Sequence, residues 1–278
     1  MINLFDPWKN SLCTCKEKYT INPYTGCMHK CVYCYITSYV KDGFNLRVKN
    51  INFKNFENKI KKLDKNLPFS ISNSSDPYPK IEERLKITRK IIEILKENDF
   101  KVSIITKSVL FLRDIDILKD MKAVISVTIT TPIYEIAKKL EPFAPLPSER
   151  IHAIKEASKY KIPICLRIDP IIPGINDDLK VIEDFLKEIS PFINMVSVST
   201  YKAKPDNFNR LKEIFKDIKI DFEEDKISGY RYIRKEKRFE ILSEIKKISK
   251  KYSLKFGICR EGFDIGDTVS CDPIFEYF

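Results

Sequence analysis

The stretch NPYTGCMHKCVYCY, residues 22–35, places three cysteines, Cys27, Cys31 and Cys34, at CxxxCxxC spacing. A structural zinc site usually closes with four protein ligands, and a cubane iron–sulfur cluster normally takes four cysteines. Three thiolates from one short segment can hold three corners of a cluster and leave the fourth metal free for a small molecule, as a catalytic metal requires. The alternatives are a zinc knuckle that borrows a fourth thiol, or buried thiols without a metal.

The length and composition of the chain fit one large domain, or one domain with a small appendage. It has 278 residues, and 43% of them are apolar. The opening residues, MINLFDPWKN, lack the features of a signal peptide, and no apolar run approaches the roughly 20 residues of a membrane span. We therefore expect a cytoplasmic protein without a membrane partner, whose eight cysteines are ligands, catalytic groups or buried thiols rather than disulfides.

The chain is basic, with a formal net charge of +11. A basic balance favours a polyanionic partner such as RNA or DNA. The segment GYRYIRKEKRF, residues 229–239, sets five basic residues among three aromatics, a combination that can pair with phosphates and stack on bases. The alternative for this segment is a solvated basic helix.

Short apolar runs alternate with longer amphipathic segments from about residue 69 onward. This alternation predicts an α/β fold with a parallel sheet, either doubly wound or curled into a full or partial barrel. Asn176 and Asp177 are candidate caps of the last helix in the series. The predicted strands are 68–73, 101–107, 123–130, 162–170 and 195–200, and the predicted helices are 80–98, 109–120, 148–159 and 177–189.

The rhythm of strands and helices stops after about residue 203. Two charged helical stretches follow, at 206–219 and 236–252, and then a short apolar run at 254–259. We therefore predict an N-terminal arm, a core barrel and a C-terminal extension packed on the core. Their expected limits are 1–19, 20–203 and 204–278.

Polar side chains follow the predicted strands at the point where each strand ends. In a parallel sheet these ends share one edge, where ligands bind. The alternative for any single residue is an ordinary polar loop. The side chains in question are Asn73, Ser74, Ser75, Asp76, Thr106, Lys107, Ser108, Thr128, Thr130, Arg167 and Asp169.

An aromatic residue stands on each side of the last cysteine of the motif, Tyr33 before it and Tyr35 after it. With the CxxxCxxC spacing, this pattern resembles the signature of radical S-adenosylmethionine (SAM) enzymes. The form NPYTGCxHxCxYCY looks like the spore photoproduct lyase-like branch of that superfamily. Further segments match in order, so that the resemblance covers roughly residues 20–200: SSDPYP (74–79), ITKSVLFLRDIDIL (105–118), SVTIT (126–130), EPFAPLPSERI (141–151) and RIDPIIPGINDD (167–178).

The resemblance implies a partial parallel (β/α)6 barrel, similar to a TIM barrel, with a [4Fe–4S] cluster on Cys27, Cys31 and Cys34. In such enzymes the fourth iron binds the amino and carboxylate groups of SAM. An electron from the cluster then cleaves SAM to methionine and a 5′-deoxyadenosyl radical. The resemblance thus also implies an electron donor, such as a ferredoxin or flavodoxin.

The resemblance further implies roles for individual side chains. We expect Ser74 and Ser75 to approach the amino group of SAM, and Lys107 or Ser126 to bind its carboxylate or ribose. His29 is expected to orient the cluster loop, with structural packing as the alternative. The residues expected to bind or position the cofactor are Tyr35, Ser74, Ser75, Lys107, Ser126, Arg167 and Asp169.

The expected catalytic residues are Tyr33, Asn73 and Asp76. Spore photoproduct lyases carry a hydrogen-donating cysteine shortly before a Ser-Asp step, at the place where this chain has Asn73. Asparagine cannot return a hydrogen atom to a substrate radical, so we do not expect this protein to repair spore photoproduct. Tyr33 or Cys165 could serve as the donor instead, although Cys165 lies in an apolar strand, which is typical of a buried thiol.

Four other cysteines lie near the two ends of the chain: Cys13, Cys15, Cys259 and Cys271. Four thiols are enough for a closed metal site if the ends meet on the barrel. We predict an auxiliary iron–sulfur cluster or a structural zinc here, with unconnected thiols as the alternative.

The sequence therefore predicts a radical SAM enzyme that modifies or repairs a nucleic acid, with a modified or damaged nucleotide as the reacting group. Whether this enzyme is a lyase or a transferase is left open. One alternative is a radical SAM enzyme that modifies a peptide or small metabolite. Another is an iron–sulfur binding or electron-transfer protein without turnover.

Overall fold

The computed structural model describes residues 2–5, 12–72 and 74–278, so the predicted catalytic residue Asn73 lies outside the described residues. None of the helices in these ranges is long and apolar enough to cross a membrane. The strands are β1 (Ile2–Leu4), β2 (Tyr19–Ile21), β3 (Tyr24–Thr25), β4 (Arg47–Val48), β5 (Phe69–Ile71), β6 (Val102–Thr106), β7 (Ala123–Thr128), β8 (Ile164–Ile171), β9 (Met195–Thr200), β10 (Lys202–Ala203), β11 (Arg231–Tyr232) and β12 (Lys255–Ile258). The helices are α1 (Phe53–Ile60), α2 (Glu82–Leu85), α3 (Ile87–Glu97), α4 (Ile115–Leu118), α5 (Tyr134–Leu140), α6 (Pro147–Ala157), α7 (Leu179–Ile189), α8 (Pro205–Ile214), α9 (Lys235–Lys251) and α10 (Ile274–Tyr277).

Eight strands form one sheet in the order β1-β2-β5-β6-β7-β8-β9-β12. All neighbouring pairs from β2 to β12 are parallel, and β1 runs antiparallel on the edge beside β2. β7 and β9 are buried along their whole lengths, because helices and loops cover a parallel sheet on both faces. The two edge strands do not pair with each other in the described ranges. The predicted α/β class and partial barrel are therefore confirmed.

The helix predicted over 80–98 is interrupted at Lys86, whose backbone is left-handed, with φ of 51°. α2 ends and α3 begins at this residue. The buried carboxylate of Glu82 accepts hydrogen bonds from three backbone N–H groups of the first turn of α3, at 2.9, 3.1 and 3.3 Å. Glu82 thus caps α3 and stabilises the break, and the prediction of one continuous helix is wrong.

The cap predicted for α7 is also wrong. Asp178, rather than Asn176 or Asp177, accepts hydrogen bonds from two backbone N–H groups of the first turn, at 2.8 and 3.2 Å. Asn176 is buried, and its side-chain amide donates to two backbone carbonyls near the ends of β7 and β8, at 2.8 and 3.0 Å. It therefore links two strands of the sheet instead of starting a helix.

The segment predicted as a C-terminal extension contributes a strand to the main sheet. Its two predicted helices are present as α8 and α9, and its apolar run forms β12. β12 pairs in parallel with β9, with Lys255 opposite Met195. The limits of the arm, the core and the extension stay a prediction.

A buried ion pair joins the loop after α5 to helix α6. Glu141 and Arg150 lie 2.5 Å apart, and each side chain is 1% exposed. Arg150 also donates to the carbonyl of Thr128 at the end of β7, at 2.8 Å. Glu141 accepts hydrogen bonds from the hydroxyl of Thr130, at 2.6 Å, and from the hydroxyl of Tyr33. Tyr33 belongs to the segment that carries Cys27, Cys31 and Cys34, residues 26–35, which we call the cysteine loop. Burial raises the pKa of Glu141, but its partners, Arg150 foremost, lower it to about 2.

We expect Arg150→Met to lower the free energy of unfolding by about 3–5 kcal/mol, because it removes the main partner of a buried charge. The pKa of Glu141 in the folded protein, about 2, is below the roughly 4.3 of an unfolded chain. Its stabilising effect is therefore present above about pH 4 and is lost as the pH falls toward 2. The loss caused by the substitution should shrink over the same range. Urea unfolding of the metal-free protein at several pH values measures both effects.

Lys155→Met is the matched control, since Lys155 lies in the same helix and pairs with Glu188 at the surface, at 2.8 Å. Breaking this pair should cost at most about 1 kcal/mol. Equal losses in the two variants would contradict the importance of the buried pair.

Candidate functional site

A cavity of about 290 Å³ opens at the carboxyl ends of the parallel strands. The cysteine loop, which follows β3, supplies one part of its wall through Cys27, Cys31 and Cys34. Because the strands all point the same way, the polar side chains that follow them gather at this edge of the sheet. The predicted catalytic and cofactor-binding residues that line the cavity are Tyr33, Tyr35, Ser74, Ser75, Asp76, Lys107, Arg167 and Asp169.

Four of the residues considered from the sequence do not line the cavity wall: Ser108, Ser126, Thr130 and Cys165. Ser126 in β7 and Cys165 in β8 are fully buried and lie opposite each other in the register of the two strands. Burial raises the pKa of Cys165 to about 12, as expected for an inert core thiol. Both side chains therefore belong to the interior of the sheet.

The cysteine loop needs a glycine at its start. Gly26 has φ of +79°, and a Cβ atom there would lie 2.2 Å from the carbonyl oxygen of Asn45. The next residue, Cys27, donates its backbone N–H to the carbonyl of Gly43 at 2.9 Å. Any other side chain at position 26 would push the first thiol of the motif away from this position.

Helix α8 fixes the second half of the cysteine loop. Arg210 donates to the carbonyls of Val32 and Cys34, at 3.2 and 2.5 Å. The buried amide of Asn207 donates to the carbonyl of Tyr33 at 2.9 Å. The sequence analysis did not identify these two residues, because they come 174 to 178 residues after their partners and belong to no recognisable motif.

The three thiols of the loop are protonated until a cation binds them. Burial raises the pKa of each, to about 12 for Cys27, and Lys107 partly opposes the effect at Cys31 and Cys34. Metal binding must therefore displace their protons. In the described ranges no three His, Cys, Asp or Glu side chains converge as ligands of one metal ion. Three cysteines from one loop facing a cavity fit three corners of a cluster, because those corners lie apart.

Lys107 brings a positive charge to the cavity wall. Its Nζ atom lies 3.8 Å from the carboxylate of Glu141 and 5.6 Å from the ring centroid of Tyr33. Burial lowers the pKa of Lys107, but Glu141, Cys31 and Asp169 together outweigh it and the pKa is raised, so the ammonium stays charged. The hydroxyl of Tyr33 donates to Glu141, which holds the ring against the lysine.

Asp76 organises the turn after β5. Its carboxylate accepts from the hydroxyl of Thr106 and from the backbone N–H groups of Lys107 and Tyr78, at 2.8, 2.8 and 2.9 Å. Nε2 of His29 lies 3.1 Å from the carboxylate, close enough for an ion pair but not aligned for a hydrogen bond. Burial raises the pKa of Asp76, but these partners lower it to about 2. The charged carboxylate therefore connects the cysteine loop to the end of β6.

Arg167 and Asp169, near the end of β8, form an ion pair 2.7 Å long. Arg167 also donates to the hydroxyl of Ser197 at 3.2 Å and to the carbonyl of Cys271 at 3.4 Å. The side chain of Arg167 is 9% exposed and that of Asp169 is 31% exposed. The arginine thus holds the carboxylate at the cavity, where it can accept hydrogen bonds from a ligand.

The four other cysteines line another part of the same cavity. The Sγ atoms of Cys15 and Cys271 lie 3.8 Å apart. Cys13 lies close enough to Cys15, and Cys259 close enough to Cys271, for the neighbouring thiol to shift its pKa. Hydrogen bonds from Cys13 and Cys271, with nearby cationic side chains, lower the pKa of Cys15. The fold thus brings together the four thiols from the two ends of the chain.

The basic segment 229–239 is largely engaged in contacts within the protein. Arg238 is buried and pairs with Glu261 at 3.2 Å. Arg234 pairs with Asp221 at 2.8 Å, and Lys237 pairs with a glutamate one turn later at 3.2 Å. Fewer cations of this segment are therefore free to contact a nucleic acid than its composition indicates.

Comparison with known proteins identifies related sequences of unknown activity. The chain is 35% identical over 167 residues to an uncharacterized protein of Methanocaldococcus jannaschii, a match that covers 58% of this chain and 62% of the relative. It is 27% identical over 182 residues to an uncharacterized protein of Acidianus two-tailed virus, across 59% of this chain and 60% of the relative. It is 22% identical over 174 residues to an uncharacterized protein of Mycobacterium tuberculosis, across 58% of this chain and 51% of the relative. The matches thus span roughly half to three fifths of these relatives.

Solved structures share the fold. A cysteine-to-alanine mutant of spore photoproduct lyase with dinucleoside spore photoproduct superposes with a TM-score of 0.71 at 15% identity, across 92% of this chain and 80% of that one. Another mutant of that enzyme, with bound SAM, superposes with a TM-score of 0.70 at 15% identity, across 93% of this chain and 80% of that one. Streptococcus suis SuiB bound to its precursor peptide gives 0.60 at 15% identity, across 86% and 48%.

The family model of the radical SAM superfamily matches residues 21–186. That range contains the CxxxCxxC loop and the strands from β5 to β8, and it is more than half of the chain. The protein therefore belongs to the radical SAM superfamily.

Proposed function

We propose that the protein cleaves SAM with a [4Fe–4S] cluster held by Cys27, Cys31 and Cys34. The observation that carries the proposal is that one loop presents these three thiols to a cavity walled by polar strand ends. This donor set provides protein ligands for three irons of a cluster and leaves the fourth for SAM. When bound, the cluster and SAM supply a 5′-deoxyadenosyl radical through reductive cleavage of SAM, which is chemistry that no side chain provides.

We assign to the side chains around the cavity the binding and orientation of SAM. The charged ammonium of Lys107 suits the carboxylate of SAM. The hydroxyls of Ser74 and Ser75 suit its amino group, and the second is held by the carbonyl of Tyr24 at 3.0 Å. The carboxylate of Asp169 suits an ammonium or ribose hydroxyl. A ferredoxin or flavodoxin in the cytoplasm is the proposed electron donor.

We further propose that the substrate is a nucleic acid with a modified or damaged nucleotide. The net charge of +11 and the fold shared with a lyase that binds a dinucleoside support this choice. The reaction we propose is not repair of spore photoproduct, since Asn73 stands where the lyases have a hydrogen-donating cysteine. Cys165 is not the replacement, because it lies in the sheet interior away from the cavity wall.

The proposal predicts that reduced, anaerobically reconstituted protein releases 5′-deoxyadenosine from SAM, and that RNA or DNA from the source organism increases the rate several-fold. The variant with Cys27, Cys31 and Cys34 all replaced by alanine should release none, because it has no ligands for the cluster. Cys165→Ala is the matched control, since it removes a thiol outside the cavity and should retain release.

Three outcomes would contradict parts of the proposal. Release that nucleic acid does not change would remove the proposed substrate. Stimulation by a peptide or metabolite fraction instead would favour the alternative enzyme. An intact cluster without any release would leave an iron–sulfur binding or electron-transfer protein.

We also propose that Cys13, Cys15, Cys259 and Cys271 hold a second metal centre, either a structural zinc or an iron–sulfur cluster. Tetrahedral zinc with Zn–S bonds of about 2.3 Å separates its sulfurs by about 3.8 Å. The 3.8 Å between Cys15 and Cys271 fits that value. The four thiols as they stand do not all converge on one point, so the side chains would rotate to close around an ion.

Metal analysis separates this second centre from the first. The protein with Cys27, Cys31 and Cys34 replaced by alanine should retain zinc, or iron with matching sulfide. Additional replacement of Cys15 and Cys271 by alanine should remove it, because two of four ligands are lost. A first variant that contains neither zinc nor iron would remove the second site.

A further inference from the structure

Arg260 is a buried cation with free hydrogen-bond donors at the wall of the cavity. It follows β12, is 6% exposed, and lines the same space as the cysteine loop. Its Nη1 atom lies 3.4 Å from the hydroxyl of Tyr35. Nε and Nη2 make no hydrogen bond to any part of the chain that the structure describes. Two donors of one buried guanidinium are therefore without a hydrogen-bond partner in the described part of the chain.

The lack of a carboxylate partner sets Arg260 apart from other buried cations of this protein. Lys18 pairs with Asp272 at 2.5 Å, and Arg238 pairs with Glu261 at 3.2 Å. Among the described residues, none supplies Arg260 with an ion pair; its electrostatic neighbours are tyrosines and a cysteine. Burying a charge without a counter-charge is costly, and proteins keep such groups where a ligand supplies the opposite charge.

The free edge of the guanidinium defines the chemistry of that ligand. Nε and Nη2 lie on the same side of the planar group, and their N–H bonds run parallel. This edge matches two oxygens of a phosphate or a carboxylate, which bind as a bidentate pair.

Two aromatic rings lie near the guanidinium. The guanidinium carbon lies 4.8 Å from the ring centroid of Tyr230 and 5.8 Å from that of Tyr35. The two rings meet edge to face at 5.3 Å. Nζ of Lys204 lies 4.1 Å from the centroid of Tyr230, so that a second cation is close. Tyr35 is partly exposed and lines the cavity together with Arg260, so its ring can lie beside a base while the guanidinium binds the neighbouring phosphate.

We propose that Arg260 binds a backbone phosphate of the substrate, with the ring of Tyr35 beside the adjoining nucleotide. The inference rests on the proposed nucleic-acid substrate and names the residue that recognises its charge. Lys107, at the turn after β6, is the cation assigned to the SAM carboxylate, so that SAM and substrate have separate anion sites in one cavity.

The test is equilibrium binding of fluorescent (dT)8 and (rU)8 oligonucleotides, and separately of SAM, to reconstituted protein. Arg260→Met should weaken oligonucleotide binding roughly 10- to 100-fold, because it removes a bidentate charged contact. It should also make the negative slope of log affinity against log salt concentration shallower by about 0.7, the value for one phosphate contact on a single strand. SAM affinity should stay within about two-fold of wild type.

Arg84→Met is the control, because Arg84 is exposed in α2 and its loss changes the net charge equally. It should leave oligonucleotide affinity nearly unchanged. Ligand-free Arg260→Met should melt at or above the temperature of the wild-type protein, since it removes an unpaired buried charge. A lower melting temperature would show that the guanidinium stabilises the fold, and would overturn the inference.

The remaining outcomes are equally decisive. If Arg260→Met weakens SAM binding but not oligonucleotide binding, the arginine belongs to the cofactor and the inference is overturned. If neither affinity changes, it is overturned as well. If wild-type protein cleaves SAM but binds neither oligonucleotide, both this inference and the nucleic-acid substrate are wrong, while the proposed SAM chemistry stands.

Discussion

The buried carboxylate of Glu141 is the interaction on which the arrangement of the site depends. It pairs with Arg150 of α6 and accepts hydrogen bonds from Thr130 after β7 and from Tyr33 of the cysteine loop. A charge that is 1% exposed is tolerated when its partners satisfy it, so the loop, the sheet and the helix must take their positions together. The same carboxylate is foremost among the groups that raise the pKa of Lys107 at the cavity wall. One residue thus couples the position of the thiols to the electrostatics of the space they face.

The cavity contains ionisable groups whose charges are compensated only when ligands are bound. Its thiols stay protonated because burial raises their pKa values, and Arg260 carries a charge that the described residues do not neutralise with an ion pair. Metal ions would compensate the thiolates, and an oxyanion would compensate the arginine. Asp76 and Arg167, in contrast, are saturated by neighbours and hold the walls in place. Some side chains thus maintain the cavity, whereas others lack a partner until a ligand binds.

The sequence predicted the parallel strands and the edge of the sheet that carries the site, but it missed the contacts that single side chains make. Apolar runs marked the parallel strands, and the residues after them gathered at one edge as expected, because strand direction alone decides that. The break at Lys86 was missed, since it depends on the Glu82 carboxylate reaching back to cap α3. Arg210 and Arg260 were missed for a similar reason: each belongs to a segment without a motif and meets the loop far along the chain. The grouping of four terminal cysteines was predicted from their number, but distances such as the 3.8 Å between Cys15 and Cys271 required the structure.

We propose above that Cys27, Cys31 and Cys34 hold a cluster with one iron open to SAM. The most direct measurement is the electron paramagnetic resonance spectrum of the reduced, reconstituted protein before and after addition of SAM, in a variant with Cys15 and Cys271 replaced by alanine. We expect the signal of a reduced [4Fe–4S] cluster whose g values shift when SAM binds the open iron. A cluster signal that SAM leaves unchanged, in protein shown to bind SAM, would contradict it.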